Sequence, residues 1–209
     1  MAQTTQQSGR SSLIELVTIV GLALGLFLII QGFLVKPFRI PSESMVPTLE
    51  DGQRVLVDRV SFRFTDPERD DVVVFKAPQG ADDEDDSGQA VCGAPREEGQ
   101  ACERPTPKRS DTYFIKRVVG LPGDKLKVIK NRVYINGRRQ DEPFIARNTP
   151  CDDLCDLPRE VEIPRGYYFM MGDNRGASLD SRAWGPVPKK WIIGQAFATY
   201  WPPGKIGTL

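Results

Sequence analysis

The stretch formed by residues 16–35 constrains this fold more than any other feature, because it reads LVTIVGLALGLFLIIQGFLV and carries no charge. As a helix it would be about 30 Å long, which matches the hydrocarbon core of a bilayer. A buried helix of this length without charge is rare in soluble folds. A cleavable secretion signal would need a small-x-small site, and Val35-Lys36-Pro37-Phe38 offers none. We therefore expect residues 13–35 to form a transmembrane signal anchor after a polar tail, residues 1–12.

Seven short apolar segments follow this stretch, and each is bounded by turn residues. Their β-branched and aromatic residues are typical of strands. Asn136-Gly137 predicts a tight turn, and Leu121-Pro122-Gly123-Asp124 predicts a type II turn with glycine at positive φ. No long amphipathic helix pattern separates the segments, so we predict a mainly β fold with an antiparallel β domain over residues 36–209. The predicted strands are 55–60, 72–75, 113–119, 126–129, 132–135, 167–171 and 191–200.

Residues 77–110 differ in amino-acid composition from the segments on either side. They include an acidic run, residues 81–88, and are otherwise rich in glycine, proline and charge. Such a stretch cannot bury enough apolar area to offset its ordering entropy, so we predict an inserted surface loop. The spacing of the acidic run does not match an EF-hand, and we expect no metal there.

Four cysteines lie in polar loop sequence: Cys92, Cys102, Cys151 and Cys155. An even number of cysteines in loops fits disulfides formed in an oxidising compartment. Three pairings are possible, and we favour the local one, 92 with 102 and 151 with 155. A zinc site is the alternative, but the chain contains no histidine and no paired C-x-x-C spacing.

Charge patterning bears on partners and on topology. Lys plus Arg and Asp plus Glu both number 28, with no dense basic stretch, so nothing indicates nucleic acid as a partner. Arg10 precedes the apolar stretch while Lys36 and Arg39 follow it, which mildly opposes an exported C-terminal domain. The cysteines favour the opposite orientation, and we expect the β domain on the extracytoplasmic side. The sequence leaves the oligomeric state open.

The lack of histidine excludes a Ser-His-Asp triad, so a serine nucleophile would need another base. Ser44 lies just beyond the apolar stretch, and Lys116 lies among Phe114, Val118 and the cationic Arg117. An apolar setting and a like charge both lower the pKa of a lysine. A decrease of about three pKa units disfavours the charged form by about 4 kcal/mol. We therefore predict a Ser-Lys hydrolase at a membrane surface.

Three motifs occur in a fixed order: PSESMVPTL at 41–49, YFIKRVVGLPGD at 113–124 and GDNRGASLDSR at 172–182. With the apolar stretch and the VYING segment at 133–137, they resemble the type I bacterial signal peptidases. These are membrane-bound serine proteases that remove signal peptides from exported proteins. The resemblance extends over nearly the whole chain, and three ordered motifs are far more specific than one.

The resemblance assigns a role to particular residues. It makes Ser44 the nucleophile, Lys116 the general base, Ser42 a side-chain donor to the oxyanion and Ser178 the residue that orients the lysine. The supporting residues that it assigns are Asp173, Asp180, Arg182, Arg117 and Met45. A strand would place Asp180 and Arg182 on one face, where they could form a salt bridge.

The resemblance also implies substrates and location. The substrates would be exported preproteins cut after small-x-small (Ala-x-Ala) sites, without a cofactor. The lipid bilayer would be a partner, in the cytoplasmic membrane or an internal energy-transducing membrane. The chain departs from the family pattern at three places: Glu43 replaces a frequent Gly, Gly176-Ala177 replaces a frequent Asp-Asn, and Asp70-Asp71 replaces a frequent Gly-Asp.

Two other functions remain open at this point. A Ser-Lys self-cleaving repressor-type protease would share the dyad, although its usual setting is soluble. A membrane-anchored β domain that binds exported chains would use Ser44 and Lys116 only structurally. Acylation of Ser44 would separate enzyme from binding protein, and cleavage of a peptide in trans would separate the two enzymes.

Overall fold

The computed structural model of this chain describes residues 8–29, 32, 34–81, 102, 108–147 and 156–209. An N-terminal helix, α1 (Ser8–Ile29), begins inside the segment that we expected to be a polar tail, residues 1–12. Among the residues that the structure describes, no helix is both long and apolar enough to cross a membrane. The anchor predicted for residues 13–35 is therefore not confirmed and stays a prediction.

Antiparallel strands are the main regular elements in the rest of the described chain. They are β1 (Val35–Arg39), β2 (Arg54–Asp58), β3 (Val72–Pro78), β4 (Arg109–Gly120), β5 (Lys125–Ile129), β6 (Arg132–Ile135), β7 (Arg138–Arg139), β8 (Leu157–Glu162), β9 (Tyr167–Met171), β10 (Val187–Pro188), β11 (Ile192–Trp201) and β12 (Gly207–Thr208). The larger sheet has the order β1-β2-β11-β3-β4-β9-β10, with β12 paired to β11, and the smaller sheet has the order β7-β6-β5-β8. The prediction of a mainly β fold is confirmed.

The side chains of a strand alternate between its two faces, so one strand can contribute to two apolar cores. In β3, Val73 and Phe75 face one buried apolar cluster, whereas Val72 and Val74 face another. In β9, Tyr168 and Met170 join the first of these clusters, while the alternate residues join a third cluster with the smaller sheet. β3 and β9 are thus covered on both faces, which is why they read as continuous apolar runs.

The seven predicted strands all occur: β6 and β9 have the predicted bounds, and the other five have shifted ends. The largest change is in β4, predicted as 113–119 and observed as Arg109–Gly120. Both predicted turns also occur: Asn136 and Gly137 have φ of 51° and 78°, and the Asp124 N–H donates to Leu121 O at 3.0 Å. The prediction missed β1, β7, β8, β10 and β12, which are short or carry proline and charge.

The boundaries predicted for the insertion, residues 77–110, need correction. β3 continues to Pro78 and β4 begins at Arg109, and the Gln79 N–H donates to Lys108 O at 3.0 Å. The backbone ladder therefore extends into both ends of the segment. Ala77 and Ala81 are buried rather than exposed. Residues 82–101 and 103–107 lie outside the described residues.

Cys102 is the described cysteine, and it is buried and disulfide-bonded. Cys92, Cys151 and Cys155 lie outside the described residues. The pairing of 92 with 102 and of 151 with 155 therefore stays a prediction.

Candidate active site

Ser44 lies in a 3₁₀ turn, Glu43–Met45, which follows β1 and an extended Ser42. Both Ser44 and Met45 are buried. Met45 packs into the same apolar cluster as Leu49, and the Leu49 N–H donates to Met45 O at 2.9 Å. Met45 thus anchors the turn in the core while Ser44 points its hydroxyl toward β4.

Lys116 lies in β4, opposite Val73 of β3, and is only 3% exposed. Its Nζ lies 2.5 Å from Ser44 Oγ and 5.6 Å from the centroid of the Phe114 ring. Burial, the largest cause, lowers the pKa of Lys116 from 10.5 to about 8, while Asp180 opposes the decrease and Arg182 adds to it. The structure therefore brings a serine hydroxyl and a lysine with a lowered pKa into hydrogen-bonding contact.

Arg117 does not act as the like charge that we expected beside Lys116. Its guanidinium donates to both carboxylate oxygens of Asp173, at 2.8 and 2.6 Å. Thr48 donates to the same carboxylate at 2.5 Å, and Arg117 also donates to Asp70 O at 2.7 Å. Since alternate residues of a strand face opposite sides, the side chain of Arg117 points away from that of Lys116. The like charge that lowers the pKa of Lys116 is Arg182.

Asp180 and Arg182 form a buried salt bridge, with Arg182 Nε 2.8 Å from Asp180 Oδ1. The pair forms without a strand: Asp180 is the N-cap of a short helix, α2 (Ser181–Trp184), and its side chain accepts the Arg182 N–H. Burial disfavours the charged form of Asp180, but Arg182 and the N–H of Gly172 outweigh it and hold the pKa of this carboxyl below its usual value.

Ser178 donates to Asp180 Oδ2 at 2.7 Å, and this carboxylate rather than Lys116 is its side-chain partner. Instead of the expected direct contact with Lys116, Ser178 therefore contacts Asp180, the carboxylate whose charge acts on Lys116. Ser42 Oγ lies 3.2 Å from Ser44 Oγ, so the two hydroxyls share one site.

Gly172, the first residue after β9, packs directly against the nucleophile turn. A Cβ at this position would overlap with the Ser44 carbonyl oxygen and with the Ser178 side chain. The Gly172 N–H donates to Asp180 Oδ2 at 3.0 Å, and the Asn174 N–H donates to Ser44 O at 3.1 Å. The loop formed by residues 172–178 therefore fixes the backbone of Ser44.

Sequence reasoning missed four residues around this site: Thr48, Glu142, Asn174 and Arg175. The first, third and fourth lie inside the motifs quoted above, so their proximity could have been inferred from the motifs. Glu142 lies outside every motif, and nothing in its sequence context indicates the buried ion pair that it forms with Arg175. Such a partner depends on how two sheets pack.

The family model described as "Signal peptidase, peptidase S26" matches residues 13–201. This chain belongs to that family. It is 36% identical to a probable signal peptidase I-2 of Synechocystis sp., over 93% of this chain and 74% of that protein. It is also 36% identical to a signal peptidase I of Leptolyngbya laminosa, over 98% of this chain and 88% of that protein.

Membership in the signal peptidase family makes the chain a serine endopeptidase of the type that removes signal peptides. It decides against the repressor-type protease and the non-enzymatic binding domain. A crystal structure of a signal peptidase I from Enterococcus faecalis V583 has a TM-score of 0.43 and 24% identity, over 63% of this chain and 97% of that one. That similarity is too low to support an inference.

Proposed function

We propose that this signal peptidase cleaves with Ser44 as nucleophile and Lys116 as general base. The observation that carries the proposal is the 2.5 Å contact between Lys116 Nζ and Ser44 Oγ at a buried site. A serine hydroxyl is a poor nucleophile until a base removes its proton, and a neutral amine can do so. The lowered pKa of Lys116, about 8, makes the neutral form accessible near physiological pH.

The steps follow from this contact. Lys116 takes the Ser44 proton as Oγ attacks the scissile carbonyl, and it then gives that proton to the leaving amine. In the second half, Lys116 deprotonates a water that attacks the acyl ester, and the proton returns to Ser44 as the acid leaves. The Ser42 hydroxyl, 3.2 Å from Ser44 Oγ, is placed to donate to the oxyanion in both halves.

The experiment compares cleavage of a preprotein by the detergent-solubilised wild type, Ser44→Ala, Lys116→Ala and the double variant. We expect each single variant to lose activity and the double variant to be little worse, because both groups belong to one proton-transfer unit. Lys125→Ala, an exposed lysine of β5, is the matched control and should keep wild-type activity. Near-normal turnover by folded Lys116→Ala would disprove the dyad.

For the substrate, we propose an extended peptide that pairs with the edge of β4. β9 pairs with β4 only from Arg117 onward, whereas residues 113–116 pair with β3 on the other side. Main-chain pairing there would bring the scissile bond to Ser44. Small pockets would then account for Ala-x-Ala preference by excluding bulk.

Replacement of either alanine by phenylalanine should block cleavage far more than the same change at the middle position. Equal tolerance at all three positions would rule out this model of specificity.

We further propose that residues 13–35 hold the enzyme at a bilayer, with the β domain on the extracytoplasmic side. The support is the uncharged run 16–35 and the exposure of large apolar side chains along α1, among them Leu16, Leu22 and Phe27. An anchor raises the local concentration of enzyme near a substrate whose own apolar segment lies in the same membrane. Release of the full chain from membranes by alkaline carbonate would contradict this proposal.

A further inference from the structure

Residues 142–146, which we term the strap, follow the smaller sheet and lie against the loop 172–178. Ile145 is buried, and the Ala146 N–H donates to Asp173 O at 2.9 Å. The strap is therefore in backbone contact with the segment that carries the site residues.

Glu142 joins the strap to Arg175 by a buried ion pair, with the two residues 6% and 2% exposed. The second carboxylate oxygen of Glu142 accepts the Val133 N–H of β6 at 3.0 Å. A charge buried without its partner is strongly unfavourable. The smaller sheet thus holds Glu142, and Glu142 holds the guanidinium of Arg175.

Arg175 transmits this constraint to the backbone beside the nucleophile. Its Nε donates to Gly172 O at 2.9 Å, and its own carbonyl oxygen accepts from Arg182 Nη2 at 2.7 Å. Gly172 lies so close to the Ser44 carbonyl oxygen that no side chain fits between them. Arg182 is paired with Asp180, the carboxylate that faces Lys116. Loss of Arg175 geometry would therefore disturb both halves of the dyad.

Phe144 provides a second contact between the strap and the site. Its half-buried ring lies over the Arg117 guanidinium, 3.9 Å from ring centroid to Cζ. Arg117 in turn binds Asp173 through two hydrogen bonds. An aromatic face attracts a guanidinium and limits the positions that it can adopt. The strap therefore contacts each of the two arginines that flank Gly172-Asp173.

We propose that the strap is a positioning element for the peptidase reaction. Glu142 acts through Arg175, and Phe144 acts through Arg117, to hold the loop 172–178 against the nucleophile turn. Neither side chain touches the reacting atoms, so both are positioning residues. This inference rests on the proposed Ser44–Lys116 mechanism, and it gives the smaller sheet a role in catalysis.

The test begins with Glu142→Gln, which keeps the size and a hydrogen-bond acceptor but removes the charge. We expect kcat to fall about tenfold or more with KM within about twofold of wild type, because misplacement of a site by a fraction of an ångström lowers the rate of the chemical step. The acid limb of kcat/KM should move to higher pH as Lys116 loses its enclosure. Asp141→Asn removes the same charge from an exposed neighbour and should change none of these values.

Phe144→Leu is the second variant, because its half-exposed site tolerates a smaller apolar side chain. We expect kcat to fall about threefold, as for loss of a cation–π contact. Urea midpoints measure folding in every variant. Wild-type kcat, KM and pH profile in both variants, with only a lowered midpoint, would overturn the proposal and leave the strap a structural element. If Glu142→Gln does not fold, Phe144→Leu decides alone.

Lys116→Ala distinguishes failure of the strap proposal from failure of the proposed mechanism. If Lys116→Ala is inactive and both strap variants, Glu142→Gln and Phe144→Leu, behave as wild type, only the strap proposal is wrong. If Lys116→Ala retains turnover, the dyad is wrong and the strap proposal falls with it.

Discussion

Gly172 allows the nucleophile turn, which carries Ser44, to pack closely against the loop formed by residues 172–178. Its backbone N–H and carbonyl are held by Asp180 and Arg175, and a side chain would overlap with Ser44 O. We expect Gly172→Ala to lower kcat/KM by about 100-fold, because the nucleophile turn must shift away from Lys116. Peptide cleavage assays measure this change.

Gly204→Ala is the matched control, since a Cβ there meets open space at an ordinary φ. It should keep wild-type kcat/KM. Wild-type activity in Gly172→Ala would show that the loop can retreat without moving Ser44.

Residues inside the motifs were largely predictable, and those outside them were not. The motifs predicted that Ser44, Lys116 and the Asp180–Arg182 pair lie at one site, and the structure places them close together. It did not indicate Glu142, because a single carboxylate in a loop has many possible partners. Asp70 stands where the family often has glycine. Its φ of 72° explains that preference, because glycine adopts a positive φ without a Cβ penalty.

In β11, Gly194 packs directly against the backbone of a neighbouring strand. A Cβ at Gly194 would overlap with the Asp58 carbonyl oxygen of the neighbouring β2, at a register shift between β11 and β3. The clash is with backbone, which cannot rotate away. We expect Gly194→Ala to lower the free energy of unfolding by about 3 kcal/mol, as overpacking does.

Urea unfolding followed by circular dichroism measures this loss. Gly207→Ala in β12, where a Cβ meets nothing, is the control. An unchanged midpoint in Gly194→Ala would contradict the predicted clash.

Element prediction succeeded where apolar residues are continuous and failed where strands are short. β3 and β9 are covered on both faces, so their apolar runs were visible in the sequence. β1 contains Pro37 and two cations, and β8 is rich in charge, so neither resembles an interior strand. The spacing of Asp180 and Arg182 would put both side chains on one face of a strand, but it also fits an N-cap and the second residue of its helix, which is the arrangement observed.

In the molecule as a whole, the cysteines report on the compartment in which the domain folds. Cys102 is disulfide-bonded, and the sequence predicts a second bridge between Cys151 and Cys155. We expect almost no reactive thiol when the native protein is denatured without reductant and titrated. Four reactive thiols would favour a β domain in a reducing compartment and reverse the predicted topology.

The most direct test of the Ser44–Lys116 dyad is the rate of Ser44 acylation by an acyl-transferring serine reagent as a function of pH. Only neutral Lys116 can accept the serine proton, so the wild-type rate should rise with pH and level off above an apparent pKa of about 8. Lys125→Ala should keep this profile, and folded Lys116→Met should lose acylation. Acylation of Lys116→Met at the wild-type rate, with the same pH dependence, would contradict the dyad.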